Sequence, residues 1–198
     1  AYLKIHKSKQ DWGFWSEKQT NVLNRKIYLP RGKALGGSSS TNAMAYVRGN
    51  AADYDSWAEL GNSGWSFKEL LPFFKRSENH AQIDHMDQGY HGSNGELNVT
   101  LPIKFQSPYV EGFISACAAN GIPKNPDYNG LNQQGSNIVQ STIRNGKRDS
   151  GATAFLKPIL NRKNLTAISF AQVEKIIFDE KKAIAVQYRK GNKLIQVH

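Results

Sequence analysis

Two segments of the chain carry apolar residues at helical spacing. The first follows Ser66, and Glu69 three positions later completes the pattern of a capping box. The second follows Ser107-Pro108, where a proline at the first helical position loses no hydrogen bond, and Gly121 ends it. These patterns predict two helices whose apolar positions are Leu70, Leu71, Phe73 and Phe74 in the first, and Val110, Phe113, Ile114 and Cys117 in the second.

Strand-like alternation dominates residues 164–198. A charged turn at residues 179–182 and the pair Gly191-Asn192 separate three apolar runs, which predicts a three-stranded antiparallel meander. One face of this meander is expected to carry Val173, Ile176, Phe178, Ile184 and Val186. Elsewhere the sequence predicts an extended segment over residues 1–34, a short strand at Leu97–Val99 and a third helix from Ser150 towards Pro158.

The composition narrows the class of protein. Of the 198 residues 39% are hydrophobic, and no run approaches the roughly 20 apolar residues that a membrane helix needs, so no transmembrane segment is predicted. The net charge of +10 would suit a free-standing basic module, but such a module needs a concentrated basic face. The Lys and Arg residues are scattered, so no nucleic-acid partner is predicted. With one cysteine, Cys117, and five histidines without metal-ligand spacing, we predict neither a disulfide nor a metal site.

The most distinctive chemistry lies in residues 31–49. Gly36 and Gly37 lack side chains, so a ligand can approach their backbone closely, and Ser38 can cap a helix that begins here. The free N–H groups at such a helix start suit a phosphate or the electron-rich edge of a planar ring. The next turn would bring Asn42 and Ala45 near the same ligand. A tight turn with an ordinary serine cap explains the same residues and stays open as the alternative.

Residues 31–49 resemble the first signature of the glucose–methanol–choline (GMC) flavoprotein oxidoreductases, and in particular that of bacterial choline-dehydrogenase-like members. Further stretches resemble the family in the same order along nearly the whole chain. They are Asp11-Trp12-Gly13, Arg25 to Tyr28, Arg48 to Asp55, Gly64-Trp65-Ser66, Leu71 to Lys75, Tyr90-His91-Gly92, Asp127 to Gly130, Gly146 to Ser150 and Arg162 to Thr166.

The resemblance implies a set of residues that contact FAD. The glycine–serine turn would lie along the cofactor and the asparagine against the flavin ring, which assigns Gly36, Gly37, Ser38 and Asn42. Backbone contacts are implied at Ala43, at Ala45 and, for the adenine, at Val173, although Val173 is also explained as strand core. Thr41 stands where some family members carry a histidine bonded covalently to the flavin. We therefore expect noncovalent FAD.

The resemblance also implies the architecture. We expect a partial GMC fold of the α+β or α/β class, with the flavin-contacting turn and helix, part of a substrate domain and the β-meander. The predicted divisions are an FAD-domain segment at residues 1–49, linking helices and the start of the substrate domain at 50–150, and an FAD-domain helix and meander at 151–198. Neither the N-terminal βαβ unit nor the C-terminal catalytic part of the family lies in this sequence. The chain is therefore expected to be an internal segment.

The activity implied by the resemblance is alcohol oxidation by hydride transfer to FAD, followed by electron transfer to a quinone-like acceptor or oxygen. No histidine here matches the family's catalytic motif, so no catalytic residue is assigned. The loop residue His91 is expected to be structural. A GMC-shaped relative or truncated product without activity is the alternative. We expect a cytoplasmic location, or a peripheral one at the inner membrane face.

Overall fold

The structure is a computed structural model that describes residues 5–102 and 107–198. It divides into two compact units, the first ending at Pro158 and the second spanning Ile159–His198. Residues 1–4, the start of the predicted extended segment, lie outside the described residues. Within the described ranges, no helix has the length and apolar character that a membrane span requires.

Asp11 organises the extended start of the first unit. Its carboxylate accepts hydrogen bonds at 2.8 to 3.1 Å from the backbone N–H groups of Lys7, Gly13 and Arg31, and a further one from the Tyr28 hydroxyl. These bonds hold β1 (Phe14–Trp15) antiparallel to β2 (Tyr28–Leu29). The extended path agrees with the prediction, but the pairing depends on contacts that periodicity does not indicate.

Three α-helices follow: α1 (Ala51–Glu59), α2 (Phe67–Ser77) and α3 (Pro108–Ala119). The predicted capping box of α2 is confirmed, because Ser66 accepts a bond from the Glu69 N–H and the Glu69 carboxylate accepts one from the Ser66 N–H at 3.1 Å. Ser107 caps α3, and Pro108 is its first residue, also as predicted.

The apolar faces of α2 and α3 are less buried than their patterns predict. In α3 only Ile114 is buried, whereas Phe113 is 68% exposed and Cys117 is half-buried. No residue of α2 is buried. Helical spacing identifies an apolar face but does not say what covers it, so the spacing alone does not establish that these positions form a core.

The centre of the first unit is a pair of parallel strands. They are β3 (Glu78–His80) and β4 (Leu97–Val99), and the second is the predicted short strand. A bridge from Thr100 to Ser141 leads on to the hairpin of β5 (Ile143–Arg144) and β6 (Lys147–Arg148). The residues buried around β3 and β4 include an apolar one, Val99, and the polar Glu78, His80 and Gln140.

The predicted third helix is confirmed, but its first turn is wider than a turn of an α-helix. A π-type turn covers Ala152–Leu156, and a 3₁₀ turn continues it over Lys157–Ile159. Ala152 and Ala154 are buried. This element follows directly after the hairpin that ends at Arg148, and that hairpin reaches the glycine–serine turn described below.

The second unit contains the predicted meander, which is confirmed. Its strands β7 (Gln172–Asp179), β8 (Lys182–Lys190) and β9 (Lys193–Val197) pair antiparallel in that order. The register places Ile176 opposite Val186 and Val186 opposite Val197. The apolar face built in this way is exposed at Val173, Ile176, Phe178, Ile184, Val186 and Val197.

Candidate functional site

The glycine–serine turn does not open an α-helix, and this part of the prediction was wrong. Gly37–Ser40 form a single 3₁₀ turn, after which the chain is extended and Ala45 bridges Ser141. The turn has no side-chain cap, because the Ser38 hydroxyl accepts a bond from the Gly32 N–H. The hydroxyls of Ser39 and Ser40 donate to the Gly36 and Leu35 carbonyls at 2.5 and 2.7 Å. Met44 has φ +66°, a left-handed conformation that stops any helical continuation.

The two glycines of the turn have different roles. A Cβ on Gly36 would lie 2.5 Å from the Ser40 hydroxyl and 3.0 Å from the Ala152 nitrogen, so this glycine permits close packing within the protein. A Cβ on Gly37 would meet no protein atom within 4 Å, and its φ is +54°. Only Gly37 therefore leaves open space beside the backbone, and this fits a cofactor lying along the turn.

Asn42 lies immediately after the turn with its side chain exposed. Its side-chain oxygen accepts a bond from its neighbour Met44 N–H at 3.0 Å and one from the Arg148 guanidinium at 2.6 Å. Because both partners are donors, the oxygen is committed to them and the NH2 group is the free end of the amide. Among the hydrogen bonds of residues 5–102 and 107–198, none uses that NH2 group, so it can donate to a ligand.

The remaining predicted contacts are dispersed. The Ser38 hydroxyl accepts a bond from the Gly32 N–H at 3.1 Å, which ties the turn to the preceding segment. Ala43 is exposed, and Ala45 is an exposed residue of the extended segment after the turn. Val173 lies on β7 of the second unit and is exposed there. The FAD contacts assigned to the predicted residues stay predictions.

Sequence reasoning gave no role to Arg148, although this residue makes a long-range contact with the turn. It lies on β6, more than a hundred positions from Asn42 in the sequence. The only signal in the sequence was its place in a stretch that resembles the family. A basic residue after a glycine turn is too common to have identified this contact.

A second cluster, also not predicted, is buried beside β3. Arg48 donates to the Glu78 carboxylate at 2.7 Å, and the other oxygen of that carboxylate lies 3.0 Å from Nδ1 of His91. Nε2 of His91 lies 2.9 Å from Asp127. We call these four residues the buried charge network. It has two cations and two anions in alternation, which compensates the cost of burying each charge.

His91 is held as an imidazolium in this network. Burial by itself would lower the pKa of His91, but hydrogen bonds to Asp127 and Glu78 outweigh it and raise the pKa to about 9. Both ring nitrogens then donate to carboxylates. This placement supports a structural role for His91.

The same region holds a group with the spacing of metal ligands. Donor atoms of Glu78, His80 and His91 lie within 4.8 Å of one another. His80 keeps Nε2 buried without a partner among the described residues, and burial lowers the pKa of this histidine. However, the Glu78 carboxylate is bonded to Arg48, and His91 uses both nitrogens. A metal would have to displace these bonds beside two cations, so we interpret Glu78 and His91 as members of the buried charge network and His80 as their buried neighbour.

Raising the pH should destabilise the full-length protein through His91. The unperturbed pKa is 6.5 and the folded value is about 9, so the contribution is complete below pH 6.5 and disappears as the pH rises through 9. A shift of this size corresponds to on the order of 3 kcal/mol of unfolding free energy. Denaturant unfolding at several pH values across this window measures the loss. A His91→Gln variant is the control, because it should be less stable at neutral pH and lack the decline assigned to His91. An equal decline in both proteins would contradict the assignment.

Comparison with known proteins places this geometry in a family. The GMC oxidoreductase family model matches residues 17–198. The chain belongs to the GMC oxidoreductases. An oxygen-dependent choline dehydrogenase of Rhizobium etli (strain CIAT 652) is 41% identical over 184 residues, and one of Brucella melitensis biotype 1 is 42% identical over 182 residues. These alignments cover 93% and 91% of the chain, but 33% and 32% of the relatives.

Solved structures of GMC type confirm the predicted fold class. Pyridoxine 4-oxidase from Mesorbium loti has a TM-score of 0.85 at 30% identity, and the match covers 100% of this chain and 38% of that one. An FAD-dependent oxidoreductase from Chaetomium thermophilum has a TM-score of 0.86 at 30% identity, covering 96% and 35%. The family and this neighbour confirm FAD as the cofactor. The chain spans about a third of the length of the curated relatives it matches.

Proposed function

We propose that the full-length GMC protein is an FAD-dependent alcohol oxidoreductase. The reaction would be hydride transfer from a CH–OH carbon to FAD, with the electrons passed to a quinone-like acceptor or to oxygen. The isoalloxazine ring of FAD supplies the redox chemistry, while the protein binds and orients it. The identity to oxygen-dependent choline dehydrogenases supports choline or a similar alcohol as the first substrate to test.

One observation in the structure of this chain supports the proposal. The backbone at Gly37 is open, and the Asn42 NH2 group is exposed and free to donate just beyond it. Because a glycine with no protein atoms beside it leaves room next to the backbone, a flat ring can lie against it. An amide N–H donor can form hydrogen bonds with the carbonyl oxygens and ring nitrogens of a flavin. In this proposal Gly37 and Asn42 hold the flavin edge, and Gly36 and Ser38 maintain the shape of the turn.

The experiment is anaerobic flavin reduction in the purified full-length protein. A choline-type alcohol should bleach the bound flavin, and readmitted oxygen or a quinone should restore the colour. A set of alcohols of increasing size and charge, including pyridoxine, identifies the substrate class. A protein that keeps its flavin oxidised with every alcohol, although dithionite reduces it, would favour an inactive relative with the GMC shape.

The flavin should be released by acid, because residue 41 is threonine and offers no imidazole for a covalent bond. Thr41 uses its hydroxyl locally, donating to the Ser38 carbonyl at 3.4 Å. After acid precipitation, we expect the flavin fluorescence in the supernatant. Fluorescence that stays with the washed, denatured polypeptide would contradict noncovalent binding.

We also propose a cytoplasmic or inner-membrane-peripheral location for the full-length protein. Fractionation of cells into soluble, salt-extractable and membrane pools tests it. Recovery of the protein only from compartments beyond the inner membrane, with none in the cytoplasm or on the inner membrane face, would reject this location.

A further inference from the structure

Arg148 connects the β5–β6 hairpin to the glycine–serine turn through three hydrogen bonds. Its guanidinium donates to the Ser39 carbonyl at 3.1 Å, to the Asn42 carbonyl at 2.7 Å and to the Asn42 side-chain oxygen at 2.6 Å. Two of these bonds are made by one nitrogen and the third by the other. The planar fork of arginine therefore holds both the backbone and the side chain of Asn42.

This contact fixes which end of the Asn42 amide is available. The two atoms bonded to the side-chain oxygen, Nη1 of Arg148 and the Met44 nitrogen, can only donate. Turning the amide over would place its NH2 group against two donors and lose both bonds. Arginine thus excludes the orientation in which Asn42 presents an acceptor to a ligand.

The arginine is itself held firmly. The next residue, Asp149, is buried and accepts bonds from the Asn98 N–H at 2.9 Å and from the Thr153 hydroxyl at 2.8 Å. Beyond it, the Gly151 N–H donates to the Ser39 hydroxyl at 2.8 Å. The hairpin end therefore meets the turn at two independent points, and the geometry is set before any ligand arrives.

Charge adds to this arrangement. Among the ion pairs formed within residues 5–102 and 107–198, none includes Arg148. The hydrogen bonds that its guanidinium makes within these residues all go to neutral carbonyl and amide oxygens. A positive charge beside a flavin site favours the reduced cofactor, which carries more negative charge than the oxidised one.

We propose that Arg148 is a positioning residue of the flavin site, which locks the Asn42 amide so that its NH2 group is the end offered to the cofactor. This inference rests on the proposed FAD contact of Asn42. It predicts that the influence of Arg148 on the affinity for FAD passes mainly through Asn42, whereas its charge acts directly on the reduction potential. A purely structural role in joining the hairpin to the turn could use the carbonyls of Ser39 and Asn42 and would not require the Asn42 side chain.

A double-mutant cycle in the full-length protein separates these roles. The variants are Arg148→Met, Asn42→Ala and the double substitution, and the readouts are the Kd for FAD and the reduction potential of the bound flavin. We expect Arg148→Met to weaken FAD binding on the order of tenfold and to lower the reduction potential. In the Asn42→Ala background the same substitution should change the Kd by less than about threefold, because the amide that Arg148 orients is already absent.

The controls keep a negative result interpretable. Lys147→Met removes a positive charge from the exposed neighbouring position on β6 and should leave the Kd and the potential unchanged. Arg148→Lys keeps the charge but not the fork, and should show an intermediate Kd. If Arg148→Met does not fold, the cycle is repeated with Arg148→Lys.

An equal change in the Kd for FAD when Arg148 is substituted in both Asn42 backgrounds, or no change in either, would overturn the inference. A wild-type protein that binds no FAD fails differently, since it rejects the proposed function before Arg148 is tested. Wild-type flavin content therefore distinguishes the two failures.

Discussion

A Gly37→Val variant of the full-length protein should lose its FAD and keep most of its fold. No protein atom lies within 4 Å of the position that a Cβ would take, so the branched side chain meets little but the space proposed for the cofactor. The positive φ of +54° adds backbone strain of about 1–3 kcal/mol, which a large protein can tolerate. The flavin-to-protein ratio after purification measures the loss, and far-ultraviolet circular dichroism measures the fold.

Gly191→Val is the matched control for this experiment. Gly191 has φ +57° and equally open surroundings, but it lies in the turn between β8 and β9 and has no proposed cofactor contact. The two variants share the backbone strain and differ in position. A Gly37→Val protein with full flavin content, or equal flavin loss in both variants, would show that the turn does not line the cofactor.

The local elements were predictable because their determinants lie close together in the sequence. The capping box of α2 needs only Ser66 and Glu69, three positions apart, and α3 needs only Ser107 and Pro108. The meander follows from alternation and two short turns. In each case neighbouring residues satisfy the backbone hydrogen bonds, so no distant partner has to be known.

The site was only partly predictable because its determinants are distant. The sequence pattern predicted that a ligand could approach the backbone of both Gly36 and Gly37. In the structure, Gly36 packs against Ala152, and of the two glycines only Gly37 has open space beside its backbone. The predicted helix failed because the hydroxyls of Ser39 and Ser40 bond to nearby carbonyls and Met44 adopts a left-handed conformation. Nothing in the local sequence indicates that Arg148 holds Asn42.

The buried charge network shows the same limit. Arg48, Glu78, His91 and Asp127 are each ordinary loop or helix-end residues in the sequence, and their burial follows only from the tertiary fold. The histidines show no metal-ligand spacing along the chain, and the sequence therefore gave no sign that His80 and His91 lie close together in the fold. Family resemblance indicated the matching stretches, but it did not indicate which of them touch.

Residues 1–198 expressed alone should be poorly soluble or loosely folded. They should bind FAD weakly or not at all and show no alcohol oxidation. The apolar face of the meander is uncovered, with Phe178 59% exposed and Ile176 53% exposed. Continuous apolar surface of this kind favours association between chains, and the strand edges of β7 and β9 offer further pairing. Light scattering, the cooperativity of thermal melting, a flavin titration and a dye-linked alcohol assay, each carried out beside the full-length protein, measure the difference.

Surface substitutions identify the cause of the association. In the short chain, the double substitution Ile176→Lys and Phe178→Lys breaks the apolar face and should raise solubility without restoring flavin binding. Leu23→Lys is the matched control, because Leu23 is 88% exposed but belongs to the first unit and not to the meander, and it should leave solubility unchanged. Equal gains in solubility from both changes would show that added positive charge anywhere on the surface raises solubility, and that the apolar face of the meander is not the cause of the association. A monomeric short chain that melts cooperatively, binds FAD tightly and oxidises alcohols would reject the prediction, because the 198 residues would then suffice without any cover for the meander.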